Sequence, residues 1–103
     1  MKKLDNVHPG EVLQEEFLNP YKISAYRLSK EIGIPQTRVS QILKGKRRIS
    51  VDTALRLSVY FGNSPQFWLG LQIDFDLEEE RRNKNTELSK IKPFNPNTDS
   101  AVA

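Results

Sequence analysis

Gln36, Thr37 and Gln41 stand close together, and Lys44, Lys46, Arg47 and Arg48 follow at once. A glutamine amide offers a donor and an acceptor side by side, the pattern that pairs with N6 and N7 of adenine. Each good bidentate contact of that kind is worth roughly 1–3 kcal/mol of discrimination. A threonine hydroxyl bonds to any base edge. Arg38 carries a guanidinium that suits either guanine or a phosphate. Clustered lysine and arginine suit phosphates, which position a protein on a duplex without carrying sequence information. These types and spacings amount to recognition of double-stranded DNA. Gln36, Thr37, Gln41 and Arg38 are the candidate base readers, and Ser24, Arg27, Ser40, Lys44, Lys46, Arg47 and Arg48 the candidate phosphate contacts.

The charge distribution agrees. The formal net charge of +3 conceals a block from residue 22 to 48 in which eight basic side chains face Glu31 alone, a net +7. Residues 1–21 carry −2 and residues 49–82 carry −3. A basic block between acidic ones implies one polyanion-facing surface, not a generally adhesive protein.

Catalysis has few side chains to work with. His8 is the sole histidine and there is no cysteine. No Gly-rich phosphate loop, zinc spacing or serine, histidine and acid set is present, so the expectation is no enzyme, no metal, no cofactor and no small-molecule substrate. His8, beside a proline at a helix start, reads as a capping or packing residue. Glu78, Glu79 and Glu80 are consecutive on a helix and point in different directions, which makes them a solvated helix end and not a cation site. The amino terminus lacks the apolar run of a signal peptide. No stretch approaches the ~18 apolar residues of a membrane span, and a cytoplasmic protein is expected.

Helical periodicity must position these groups, because nothing shows the sustained alternation of a half-buried strand. The reading is all-α, with five helices. The first starts at Pro9, carries Val12, Leu13 and Phe17, and is expected to stop ahead of Pro20. Ser24 caps the second, whose Leu28 and Ile32 share a face, and Gly33 ends it. The third starts near Pro35 or Gln36, turns Val39, Ile42 and Leu43 inward, and ends at Gly45. Ser50 caps the fourth, with Ala54, Leu57 and Phe61 at core spacing, and Gly62 closes it. Ser64-Pro65 opens the fifth, expected at about residues 65–82. The domain therefore spans 1–82, and residues 83–103, with two prolines, four asparagines and little apolar material, read as a flexible tail.

The second and third helices, residues 24–44, have what a helix-turn-helix requires: small Ser29 at the crossing, Gly33 at the turn, and Leu28, Ile32, Ile34, Val39 and Ile42 to hold the pair to a core. The outer face of the third is left for the major groove. Phe67, Trp68, Leu71 and Phe75 supply more apolar surface than a last helix needs. They either close the monomer core or form a dimer face, with Trp68 favoured for the core. A dimer is independently expected, since one recognition helix reads only a few base pairs and two-fold pairing sets half-sites ~34 Å apart.

Three segments carry a family resemblance: His8-Pro-Gly-Glu11, Arg38-Val-Ser-Gln-Ile-Leu-Lys-Gly-Lys-Arg-Arg-Ile49, and Thr53-Ala-Leu-Arg-Leu57 through Phe61-Gly-Asn-Ser-Pro-Gln-Phe-Trp-Leu-Gly-Leu-Gln72. Over roughly residues 7–80 the chain resembles HigA/VapI antitoxins, a subset of the phage-repressor-like helix-turn-helix proteins of the XRE, Cro and CI type. The middle segment is shared with many repressors, whereas the first and last are more specific. The resemblance implies a homodimer that binds a palindromic operator in its own promoter and pairs with a HigB-type toxin that cuts mRNA. It places base reading at Gln36, Thr37 and Gln41, with Arg38 beside them, and leaves the toxin contact open. A solitary repressor without a toxin is the alternative; a short basic reading frame next to this one would favour the antitoxin.

Overall fold

Serine at a helix start and glycine at its end punctuate the chain, and the local geometry follows. A computed structural model describes residues 6–99. Helix α1 is one run over residues 9–21, built from an α-helical turn Pro9–Val12, a π-helical stretch Leu13–Leu18 and a last turn Asn19–Tyr21. Helices α2 (Ala25–Ile32), α3 (Gln36–Leu43), α4 (Val51–Phe61) and α5 (Pro65–Ser89) follow, with a single turn α6 at Pro96–Asp99. No strand occurs among the described residues.

The caps act as their chemistry requires. The hydroxyl oxygens of Ser24, Ser50 and Ser64 accept from the backbone N–H of Arg27, Thr53 and Phe67, each an otherwise orphaned donor of a first turn. Gly33, Gly45 and Gly62 take φ of 73°, 73° and 75°, the left-handed region where a side chain is strained.

Two boundaries differ from the sequence expectation. Helix α1 does not stop ahead of Pro20. The Asn19 N–H donates to the Gln14 carbonyl five residues back, so the chain is already in wide π turns when it meets the proline. A wide turn moves away the carbonyl that the pyrrolidine ring strikes in a regular helix, and no N–H is needed there. The run ends instead at Lys22, at φ 55°. Helix α5 does not end at residue 82 but reaches Ser89, through a locally non-helical Lys84 (φ −116°, ψ 15°). Its extension is exposed throughout and is supported by the pairs Arg82 to Glu78 (2.9 Å) and Lys84 to Glu80 (3.2 Å), each four residues apart with the acid first. The segment expected as tail from residue 83 is therefore helical over its first turns.

The core gathers Leu13 and Leu18 of α1, Leu28 and Ile32 of α2, Val39 and Ile42 of α3, Ala54 and Leu57 of α4, Trp68 of α5, and Ile34 and Ile49 from connecting loops. Helices α2 and α3 pack on each other, α4 packs on α5, and α1 lies across α3 and α5. Trp68 is 0% exposed and its indole N–H donates to Asn63 Oδ1 at 2.9 Å. Phe17 packs on it with ring centroids 4.8 Å apart, and Phe61 and Phe67 extend the cluster.

Candidate nucleic-acid interface

Helix α3 is held from behind. Val39 and Ile42 point into the core, and Gly33 with Ile34 makes the turn from α2, both amides donating to the Ser29 carbonyl. At about 100° per residue, Gln36, Ser40, Lys44, Thr37 and Gln41 occupy one continuous arc opposite the buried side. Gln36, Thr37, Gln41 and Lys44 are exposed and Ser40 is half-buried. Ser40, assigned from sequence to the backbone, thus sits between the candidate readers.

Arg38 lies at the edge of the arc, half-buried and turned toward α4, where its guanidinium is 3.9 Å from Asp52. Asp52 also accepts from Arg56 at 3.0 Å. Gln41 has a partner that its spacing did not reveal: Arg47 Nε donates to Gln41 Oε1 at 2.8 Å. A candidate base reader and a loop cation are therefore coupled, and this bond orients the Gln41 amide on the exposed face of α3.

The basic loop after α3 is fastened to α5. The buried Ile49 N–H donates to Gln72 Oε1 at 2.7 Å, and Gln72 Nε2 donates to Asp76 Oδ1 at 2.9 Å. The other oxygen of Asp76 accepts from Arg48. Lys44 and Lys46 have no carboxylate partner among the described residues and remain exposed. Arg27, at the start of α2, pairs with Glu31 at 3.2 Å. Of the sequence-assigned phosphate contacts, Lys44 and Lys46 thus carry uncompensated charge, while Arg27 and Arg48 are offset by acids.

His8 caps α1, its Nδ1 accepting from the Gly10 N–H at 2.9 Å. Its ring stands edge-on to Phe75 at 4.8 Å. Burial lowers its pKa from the usual 6.5, with the Asp76 charge opposing. For Asp76 itself burial works toward a higher pKa, but the bonds from Arg48 and Gln72 outweigh it and hold the carboxyl below its usual 3.8. Gly10 is where α1 crosses α3: a Cβ there would lie 1.8 Å from the Ile42 carbonyl oxygen. His8-Pro-Gly is thus a device for seating α1 against the end of α3.

The helix-turn-helix family model matches residues 15–68, from α1 through Trp68. Virulence-associated protein I of Dichelobacter nodosus is 41% identical over 80 residues, covering 78% of this chain and 74% of that protein. A HigA-family addiction module antidote protein of Coxiella burnetii superimposes with a TM-score of 0.83 at 40% identity, over 88% of this chain and 100% of that one. The chain belongs to the HigA family of helix-turn-helix antitoxins. Antitoxin HigA of Pseudomonas aeruginosa, solved with the higBA promoter, superimposes with a TM-score of 0.85 at 34% identity, over 88% of this chain and 100% of that one. Within this HigA-family chain the network of His8, Gln72 and Asp76 reaches outside the matched helix-turn-helix segment. None of the three was assigned a role in the interface from sequence, since each acts through a contact distant along the chain.

Proposed function

We propose that this protein is an antitoxin that represses its own operon and neutralises an mRNA-cleaving toxin of the HigB type. It acts in the cytoplasm as a homodimer on a palindromic operator, reads bases with Gln36, Thr37 and Gln41, and contacts phosphates chiefly through Lys44, Lys46 and Arg47. No helix among the described residues is long and apolar enough to cross a membrane. The observation that carries the reading is the polar arc of α3 continuing into a cationic loop, on a fold shared with a HigA solved with promoter DNA. The protein needs no catalytic step for either role: DNA affinity adjusts its supply, and binding blocks the toxin.

The test is co-purification. The gene is expressed with its flanking frames, this protein alone is tagged, and the eluate is weighed. A small basic partner at fixed stoichiometry is expected, together with relief of growth arrest when both are expressed. A bare protein, with the flanking frames confirmed expressed, would make it a solitary repressor and overturn the antitoxin assignment.

A further inference from the structure

Glu31 is the single acid between residues 22 and 48, a charge of the sign that phosphates repel, set among eight basic side chains. It is tied on two sides. Glu31 Oε1 accepts from Arg27 Nε at 3.2 Å on its own helix, and the same oxygen accepts from the Tyr60 hydroxyl of α4. The Tyr60 bond comes first among the influences that hold the Glu31 carboxyl below its usual 4.5, with burial opposing. The Glu31 bond in turn raises the Tyr60 hydroxyl above its usual 10. At neutral pH the set is therefore a protonated phenol, a carboxylate and a guanidinium, each bonded to the next.

The arrangement does little for α2 itself. The four-residue pairs of α4 and α5 all place the acid before the base, the order that favours a helix. In α2 the order is reversed, and the cation stands in the first turn, where the helix dipole opposes it. Exposed pairs contribute little to stability in any case. What the reversed order achieves is a guanidinium at the amino-terminal end of α2, beside the Ser24 cap. In a helix-turn-helix the first helix crosses the sugar-phosphate backbone. One carboxylate oxygen engages one N–H of the five that a guanidinium offers, so most of an oriented fork is left for a phosphate.

We propose that Tyr60 and Glu31 are positioning residues for DNA binding: Tyr60 fixes Glu31, and Glu31 fixes Arg27 as a phosphate contact at the start of α2. The inference rests on the DNA-binding reading above and extends its machinery to a side chain of α4. Glu31 gives up some attraction for the polyanion. In return, Arg27 has lost its rotamer freedom before the duplex arrives, and binding no longer bears that cost.

Operator and scrambled duplexes are titrated at several salt concentrations with Arg27→Ala, Tyr60→Phe and their combination, with circular dichroism melts and light scattering as controls for fold and assembly. Arg27→Ala is expected to weaken both duplexes alike and to lower the salt slope by about 1 per bound protomer. Tyr60→Phe keeps the ring packed on Phe61 and removes only the hydroxyl. It is expected to weaken both duplexes by roughly 2- to 10-fold, the worth of one net hydrogen bond. In an Arg27→Ala or Glu31→Ala background, Tyr60→Phe should cost nothing further, a coupling that a merely structural hydroxyl would not show. Wild-type affinity in either Arg27→Ala or Tyr60→Phe, or an equal Tyr60→Phe loss with and without Arg27, overturns the positioning role and leaves the DNA reading standing. A wild type that retains neither duplex overturns both.

Discussion

At the scale of single residues, Gln36 and Gln41 differ from Lys46 and Arg47 in what their loss should remove. Replacing either glutamine with alanine is expected to lower the ratio of specific to nonspecific affinity by roughly 5- to 150-fold, the worth of about 1–3 kcal/mol per bidentate contact. Replacing Lys46 and Arg47 together should weaken binding to all sequences and reduce the salt slope by up to about 2. Arg47 also donates to Gln41, so Arg47→Ala alone is expected to erode some discrimination that Lys46→Ala leaves intact. Titrations on cognate and scrambled duplexes at several salt concentrations separate these outcomes. Gly10→Ala forces a methyl toward the Ile42 carbonyl, backbone that cannot move without shifting α3. A stability loss at or above the ~1–3 kcal/mol usual for overpacking is expected in thermal melts.

At the scale of elements, α5 governs the basic loop. Gln72→Ala leaves the buried Ile49 N–H without an acceptor, and a cost of about 1–3 kcal/mol is expected in denaturant unfolding, along with a looser loop. The same network sets a pH dependence. The folded pKa of His8 is lowered from 6.5, so the unfolded chain binds its proton more readily, and this contribution to stability is complete above pH 6.5 and is lost as pH falls toward the folded value. Asp76, lowered from 3.8, acts in the same direction at more acid pH. Melts of the wild type should therefore soften below pH 6.5, and His8→Asn, which keeps a capping oxygen, should lose the upper part of that slope. Much of this level was legible in the chain. Ser24, Ser50, Ser64 and the three left-handed glycines are local signals, and they mark the helix-turn-helix without reference to anything distant. Pro20 misled because its usual effect assumes an α-helical ladder, and nothing local announces a π turn. Gln72, Asp76 and Gly10 were illegible as parts of the interface for a different reason. Each matters through a partner distant in sequence, and a periodic pattern does not encode which polar residue of a helix will face a loop.

At the scale of the molecule, a short core welded by α1, α4 and Trp68 leaves the polar face of α3 and the basic loop after it exposed. Trp68→Ala is expected to cost about 3–5 kcal/mol, because the ring is fully enclosed and Phe17 closes on it. The composition of residues 83–103 suggested a tail, yet α5 runs on to Ser89 with every side chain after Glu80 exposed through Ser89. Local salt bridges and good helix formers carry that extension without packing, which is why hydrophobic spacing did not show it. The central claim is that α3 reads a specific sequence, and the most direct measurement is a footprint of the protein on the DNA upstream of its own gene, repeated with Gln36→Ala and Gln41→Ala. The account predicts two protected half-sites about one helical turn apart, lost or blurred in the variants while nonspecific retention persists. Protection that is absent in the wild type at concentrations retaining bulk DNA, or unchanged in both variants, would contradict it.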